Sequence, residues 1–171
     1  MSETSEEKTR RRYLQIMNDY EWSYQYSLFY DNPDDSYRLL DDMVKFKQAL
    51  RRKWPNTAFL IRIQSHRRDM GTERKDKVLQ AFLSILSTSK LQGVMDGFLD
   101  SLFSAQVNII YKKLSVGKQK QIYNSIARQQ PHDLAKVFKH KKGPIKRYSI
   151  LNKTRLAKRL TPLIELEQEN C

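Results

Sequence analysis

Polar and apolar positions change period several times along the chain, and each change marks an element. Residues 3–19 (ETSEEKTRRRYLQIMND) put acids before bases and end apolar, the order of a short amphipathic helix with its acids at the positive end of the dipole. From Trp22 the period is two: Trp22, Tyr24, Tyr26, Leu28 and Tyr30 alternate with Ser23, Gln25, Ser27 and Phe29, which predicts a strand with an aromatic face. The turn-rich DNPDDS follows and offers Asp34, Asp35 or Ser36 as an N-cap. Leu39, Met43, Phe46 and Leu50 then fall on one helical face, Arg51, Arg52 and Lys53 suit that helix's negative end, and Pro55 stops it. TAFLIRIQ, residues 57–64, predicts a second strand. Together these pieces form a β-α-β unit, whose strands pair in parallel if they are adjacent.

Beyond SHRRDMGTERKDK the spacing turns helical. Val78, Phe82, Ile85 and Leu86 share a face, with Thr72 and Glu73 to open the helix and STSK to close it. A further helix runs from Leu91 through Val94, Phe98 and Leu102, and VNIIYKKL, residues 107–114, fits either its continuation or a strand. Residues 117–129 and 132–139 predict short helices, the latter with Pro131 at its start. KKGP is a turn, IKRYSIL a short strand, and NKTRLAKRLTPLIELEQ a final helix capped by Asn152, with Leu156, Leu160, Leu163 and Ile164 toward the core. The expected fold is α+β and helix-dominant: an amino-terminal β-α-β unit packed with several helices and a basic carboxy-terminal strand-helix segment. At 171 residues it fits one compact domain, 1–171, with mobile ends at 1–8 and 165–171.

Composition narrows the function classes. With 39% hydrophobic and 30% charged residues the chain has enough apolar side chains to fold. No apolar run approaches the roughly 20 residues that cross a bilayer, and the amino terminus lacks an apolar signal core, so a cytoplasmic protein without a membrane partner is expected. Cys171 is the only cysteine, which rules out an intrachain disulfide and a second zinc thiolate. His66, His132 and His140 form no HxH or HExxH, and P-loop, GxGxxG and GxSxG motifs are lacking. Asp34/Asp35 belong to turn chemistry and Asp41/Asp42 to a helix surface. No catalytic residue, metal ligand or cofactor is assigned.

Charge adds the main signal. Residues 1–100 carry 17 basic and 15 acidic side chains; residues 101–164 carry 15 basic and one acidic, Asp133, a net of +14. Glu165, Glu167 and Glu169 take the chain to +13. So one-sided a segment repels itself and attracts polyanions. Lys112, Lys113, Lys118, Lys120, Lys136, Lys139, Lys141, Lys142, Lys146 and Lys153 are candidate phosphate contacts, with Lys158, Arg147, Arg155 and Arg159 on the strand-helix segment. On the expected final helix Arg155, Lys158 and Arg159 form a cationic stripe. Tyr148, beside Lys146 and Arg147, reads first as a half-buried packing residue and second as a base-stacking surface. The aromatic strand raises the same stacking option, and helical cover favours a core role for it.

LNKTRLAKRL resembles the first helix of a helix-turn-helix, but the acidic TPLIELEQEN after it is unsuited to reading bases, so backbone contact is expected. The strand-helix-strand order up to TAFLIRIQSHRRDMG resembles the start of a rolling-circle replication initiator of the HUH class. That resemblance implies two metal-holding histidines around a hydrophobic residue and an attacking helix tyrosine. Only His66 lies near the right place, the histidine pair is missing, and Tyr123 is one of nine tyrosines. SHRRD therefore reads as a surface loop. The leading expectation is a non-enzymatic protein binding DNA or RNA by its phosphates. The alternatives are a viral or mobile-element assembly protein that docks an acidic partner or forms a homo-oligomer, and a metal-dependent nickase.

Overall fold

The computed structural model describes residues 4–71, 77–91, 99, 101–128, 134–141, 143, 145–155 and 158–164. Helix α1 (Ser5–Asp19) begins at a reciprocal cap: Glu7 N donates to Thr4 Oγ1 (3.1 Å) and Thr4 N to Glu7 Oε2 (3.4 Å). Residues 5–8 are thus helical. Strand β1 (Tyr24–Tyr30) follows, then a 3₁₀ turn (Pro33–Arg38) capped by Asn32, whose Oδ1 accepts from Asp34 N (3.0 Å). Ser36 caps no helix; its Oγ accepts from Ala81 N (3.1 Å) and pins the turn to the sheet. Helix α2 (Leu39–Lys53) buries Leu39, Met43, Phe46 and Leu50, the stripe its spacing predicts.

Among the described residues, five strands form one antiparallel sheet in the order β4-β1-β3-β2-β5, with β2 at Phe59–Arg68, β3 at Val78–Ser87, β4 at Val107–Lys113 and β5 at Tyr148–Leu151. This corrects the helix-dominant expectation: the class is α+β, and the sheet organises it. Strands β1 and β2 run in the same direction but are not adjacent, because the β2–β3 hairpin places β3 between them. Residues 78–87 are the central strand and not a helix. A central strand with apolar residues on both faces shows no clean polar alternation, and Val78, Phe82, Ile85 and Leu86 match a helical period by coincidence. Residues 107–113 take the strand alternative. The helix expected from Leu91 to Leu102 falls mostly outside the described residues.

The carboxy-terminal expectation fails in a different way. Residues 152–155 and 158–164 contain a 3₁₀ turn at Lys153–Arg155, a single bridge at Lys158 and then bends, where a long helix was expected. Pro162 supplies no N–H to a helix. Instead Arg159 N donates to Asp19 O (2.8 Å), Leu163 N to Asn18 O (3.0 Å) and Ile164 N to Asn18 Oδ1 (2.6 Å), so the stretch runs along the end of α1. Leu163 is buried, Leu160 is fully exposed, and Leu156 lies outside the described residues. Asn152, at φ 55°, ends β5; its Nδ2 donates to Trp54 O (3.1 Å) and Thr57 O (2.8 Å).

Alternation divides the sheet's side chains between two faces. The first face carries Tyr26, Leu28, Tyr30, Phe59, Ile61, Ile63, Ala81, Leu83 and Ile85 and is covered by α2, Leu99, Phe103 and α4 (Leu134–Val137). On the second face a smaller cluster joins Leu60, Leu86 and Tyr148 to Tyr13 and Met17 of α1, Ile126 of α3 (Val116–Ala127) and Leu163. That cover reaches one end of the sheet, and the other end of the second face has a polar and aromatic surface.

Candidate nucleic-acid interface

Edge strand β4 ends in Lys112 and Lys113, and Ser115 immediately caps α3, accepting at Oγ from Lys118 N (3.1 Å). Lysines separated in sequence are thereby brought to one groove of about 390 Å³, lined by Gln25, Lys112, Lys113, Lys118 and Gln121 among others and by no carboxylate. The first turn of α3 holds no acid either, so its backbone dipole adds to the positive field. Across that turn, Lys120 and Arg159 line a second groove of about 450 Å³.

The rest of the basic segment is dispersed. Lys136, Lys139 and Lys141 are exposed around α4, on the first-face side, because Leu134 and Phe138 pack there; Lys142 lies outside the described residues. Lys146 is exposed near Lys47 of α2, whose pKa falls through burial and then the charges of Lys146 and Arg51. Lys153, Arg155 and Lys158 are exposed, without the helix that would align them.

Three candidates serve the fold. Arg159 Nε donates to Tyr20 O (2.8 Å) and its Nη2 to Gln119 Oε1, which ties the last stretch to α1 and α3. Arg147 Nη1 lies 3.6 Å from Glu6 Oε1, Nε donates to Ile63 O (3.4 Å), and its guanidinium covers the Tyr148 ring at 5.5 Å. Tyr148 itself is buried, 5.0 Å from the ring of Tyr13, and offers no face for a base. Tyr123 packs partly buried on the second-face cluster.

Sequence reasoning missed a set of residues on the open end of the second face. The aromatic residues Trp22, Tyr26 and Tyr30 are core, but the interleaved Phe29 points the other way. It stacks on Phe82 of β3 at 4.7 Å; His66 of β2 lies 4.8 Å from Phe82 and 5.7 Å from Phe29. His66 is exposed and the two phenyl rings are half-buried. The SHRR part of the expected loop is strand, so His66 faces the sheet surface. Burial and the Arg68 charge hold its pKa below the ordinary value, and its Nε2 meets the Gln80 side-chain amide. Gln80 Oε1, in the same buried amide, has no hydrogen-bond partner. Ser27 and Ser84 form a floor between these rings and the lysine groove, where Gln25 Nε2 donates to Ser84 Oγ (3.1 Å). Arg62 borders that floor, 6% exposed; Gln64, with its amide oxygen turned toward it, accepts from Nε (3.1 Å) and Nη2. The signal for this site was the strand register of 78–87, which a helical reading hides.

Comparison of the chain with protein-family models, with curated proteins and with solved structures finds no match. Among the described residues there is no group of three or more His, Cys, Asp or Glu side chains placed to hold a metal ion, and no helix long and apolar enough to cross a membrane.

Proposed function

We propose that this protein binds nucleic acid by its phosphates through Lys112, Lys113, Lys118 and Lys120, at the junction of β4 and α3. The carrying observation is that a strand end and a capped helix start converge Lys112, Lys113 and Lys118 on a groove that no carboxylate lines, with Lys120 lining a second groove across the first turn of α3. Ammonium groups brought to one groove repel one another, and a row of phosphates relieves that repulsion while releasing counterions. The remaining exposed lysines raise the field that draws a polyanion in and carry less of the bound contact.

Binding of labelled oligonucleotides across a salt series tests this reading. For a single strand, each neutralised phosphate contributes about 0.7 to the slope of log K against log salt. Replacing the four lysines by Gln is expected to make the slope shallower by two to three units, on the order of 0.7 for each. A variant with Lys136, Lys139 and Lys141 as Gln shifts it less. Equal slopes and affinities for the parent and the four-lysine variant would overturn the proposal and favour an acidic protein as the partner of the basic surface.

A further inference from the structure

We infer, building on the phosphate-binding reading, that the ligand is a single strand whose bases stack on the patch formed by Phe29, His66 and Phe82. The three rings lie within 6 Å of one another on the sheet's second face, and His66, the exposed member, presents an aromatic surface to the outside. Gln25, Ser27 and Asn108 with the exposed Ile110 lie on the same face of β1 and β4. Register places Gln25 opposite Lys112, Ser27 opposite both Ser84 and Ile110, and Phe29 opposite Asn108, so the half-buried Ser27 and the exposed Ile110 lie between the rings and the lysine groove.

Dimensions and charge agree with that occupant. Phe29 and Gln25 are four residues apart on β1, about 13 Å at strand rise. That is close to the length of four stacked nucleotides at about 3.4 Å each. Rings at one end and ammonium groups at the other suit a chain that carries π-faces on one side and anionic charge on the other. An acidic peptide would meet the lysines and have no use for the rings. A duplex keeps its bases stacked on each other, so it can use the lysines alone. The depressed basicity of His66 leaves its ring neutral near pH 7, able to stack without adding to the salt dependence.

Fluorescence anisotropy on the full chain, with a labelled 12-nucleotide single-stranded DNA, the matching RNA and the matching duplex, tests the inference. His66→Ala alters an exposed side chain, Phe29→Leu keeps apolar volume without the ring, and His66→Phe keeps the ring. Stacking predicts that His66→Ala and Phe29→Leu each weaken binding of a single strand about 5- to 100-fold. The salt slope and duplex binding stay at parent values, and His66→Phe retains single-strand affinity. DNA and RNA arms rank the two sugars. If His66→Ala binds the single strand like the parent, or weakens single strand and duplex equally, stacking is wrong while a lysine-dependent salt slope still stands. If the parent binds none of the three probes, the phosphate reading fails and the inference falls with it.

Discussion

Leu83→Ala is expected to destabilise the protein by about 3 kcal/mol, within the usual 2 to 5 for a buried leucine. Leu83 sits in the middle of β3 with no exposed surface, opposite Leu28 on one side and Ile63 on the other. Truncating it leaves a cavity at the centre of the first-face core, where α2 and the flanking strands are too constrained to collapse. The result also separates strand from helix. On the helix read from sequence, Phe82 faces the core and Leu83 lies off that face; on the strand, Leu83 is core and Phe82 faces the open surface. Chemical denaturation of Leu83→Ala and Phe82→Ala therefore gives the larger loss to Leu83. The reverse order would contradict the register of β3.

Asp42→Ala comes next, with an expected loss of about 3 kcal/mol, since hydrogen bonds to charged groups contribute about 1.5 to 3 each and stranded donors add their own cost. Only 9% exposed, Asp42 accepts at Oδ2 from Tyr30 Oη (2.5 Å), Ser104 N (3.1 Å) and Ser104 Oγ (2.9 Å). One carboxylate thus joins α2, β1 and the segment before β4. It is a structural group, where the sequence placed it on a helix surface. Burial and this bond both raise the Tyr30 phenol pKa far above its ordinary value, so the tyrosine stays a donor at all working pH values. The double variant Asp42→Ala with Tyr30→Phe should recover part of the loss by removing one stranded donor. Thermal melts that leave Asp42→Ala at the parent midpoint would show that the network contributes nothing.

Where one face of an element meets the core and the other meets water, its pattern was legible. Helices α1 and α2, strand β1 and the aromatic face of β1 all follow from spacing, because each is amphipathic in the ordinary way. Strand β3 was not legible because it has neighbours on both edges and carries apolar residues on both faces, with Leu83 and Ile85 on one and Val78, Phe82 and Leu86 on the other. Its misreading propagated: without β3 between them, β1 and β2 look like a parallel pair. The last segment misled because Leu156, Leu160 and Leu163 keep a helical period, while Pro162 and the acceptors at Asn18 and Asp19 favour a non-helical path. Charge showed that a basic surface exists but not which lysines share it. Lys112, Lys113 and Lys118 meet through a strand end and a Ser115 cap, whereas the longer basic run from Lys136 onward is divided among α4, the edge beside α2 and the turn after β5. Phe29, His66 and Phe82 lie on three strands, and their adjacency is a property of register alone.

The path proposed for nucleic acid runs on the second face, from the ring patch to the start of α3. Amide chemical-shift mapping on the isotope-labelled protein, titrated with a short single-stranded oligonucleotide, tests it most directly. A strand on that path perturbs residues grouped at Ser27–Phe29, Gln64–His66, Gln80–Ser84 and Lys112–Gln121, with α2 and α4 unchanged. Perturbations confined to α2, α4 and residues 139–146, or none at all, would contradict it.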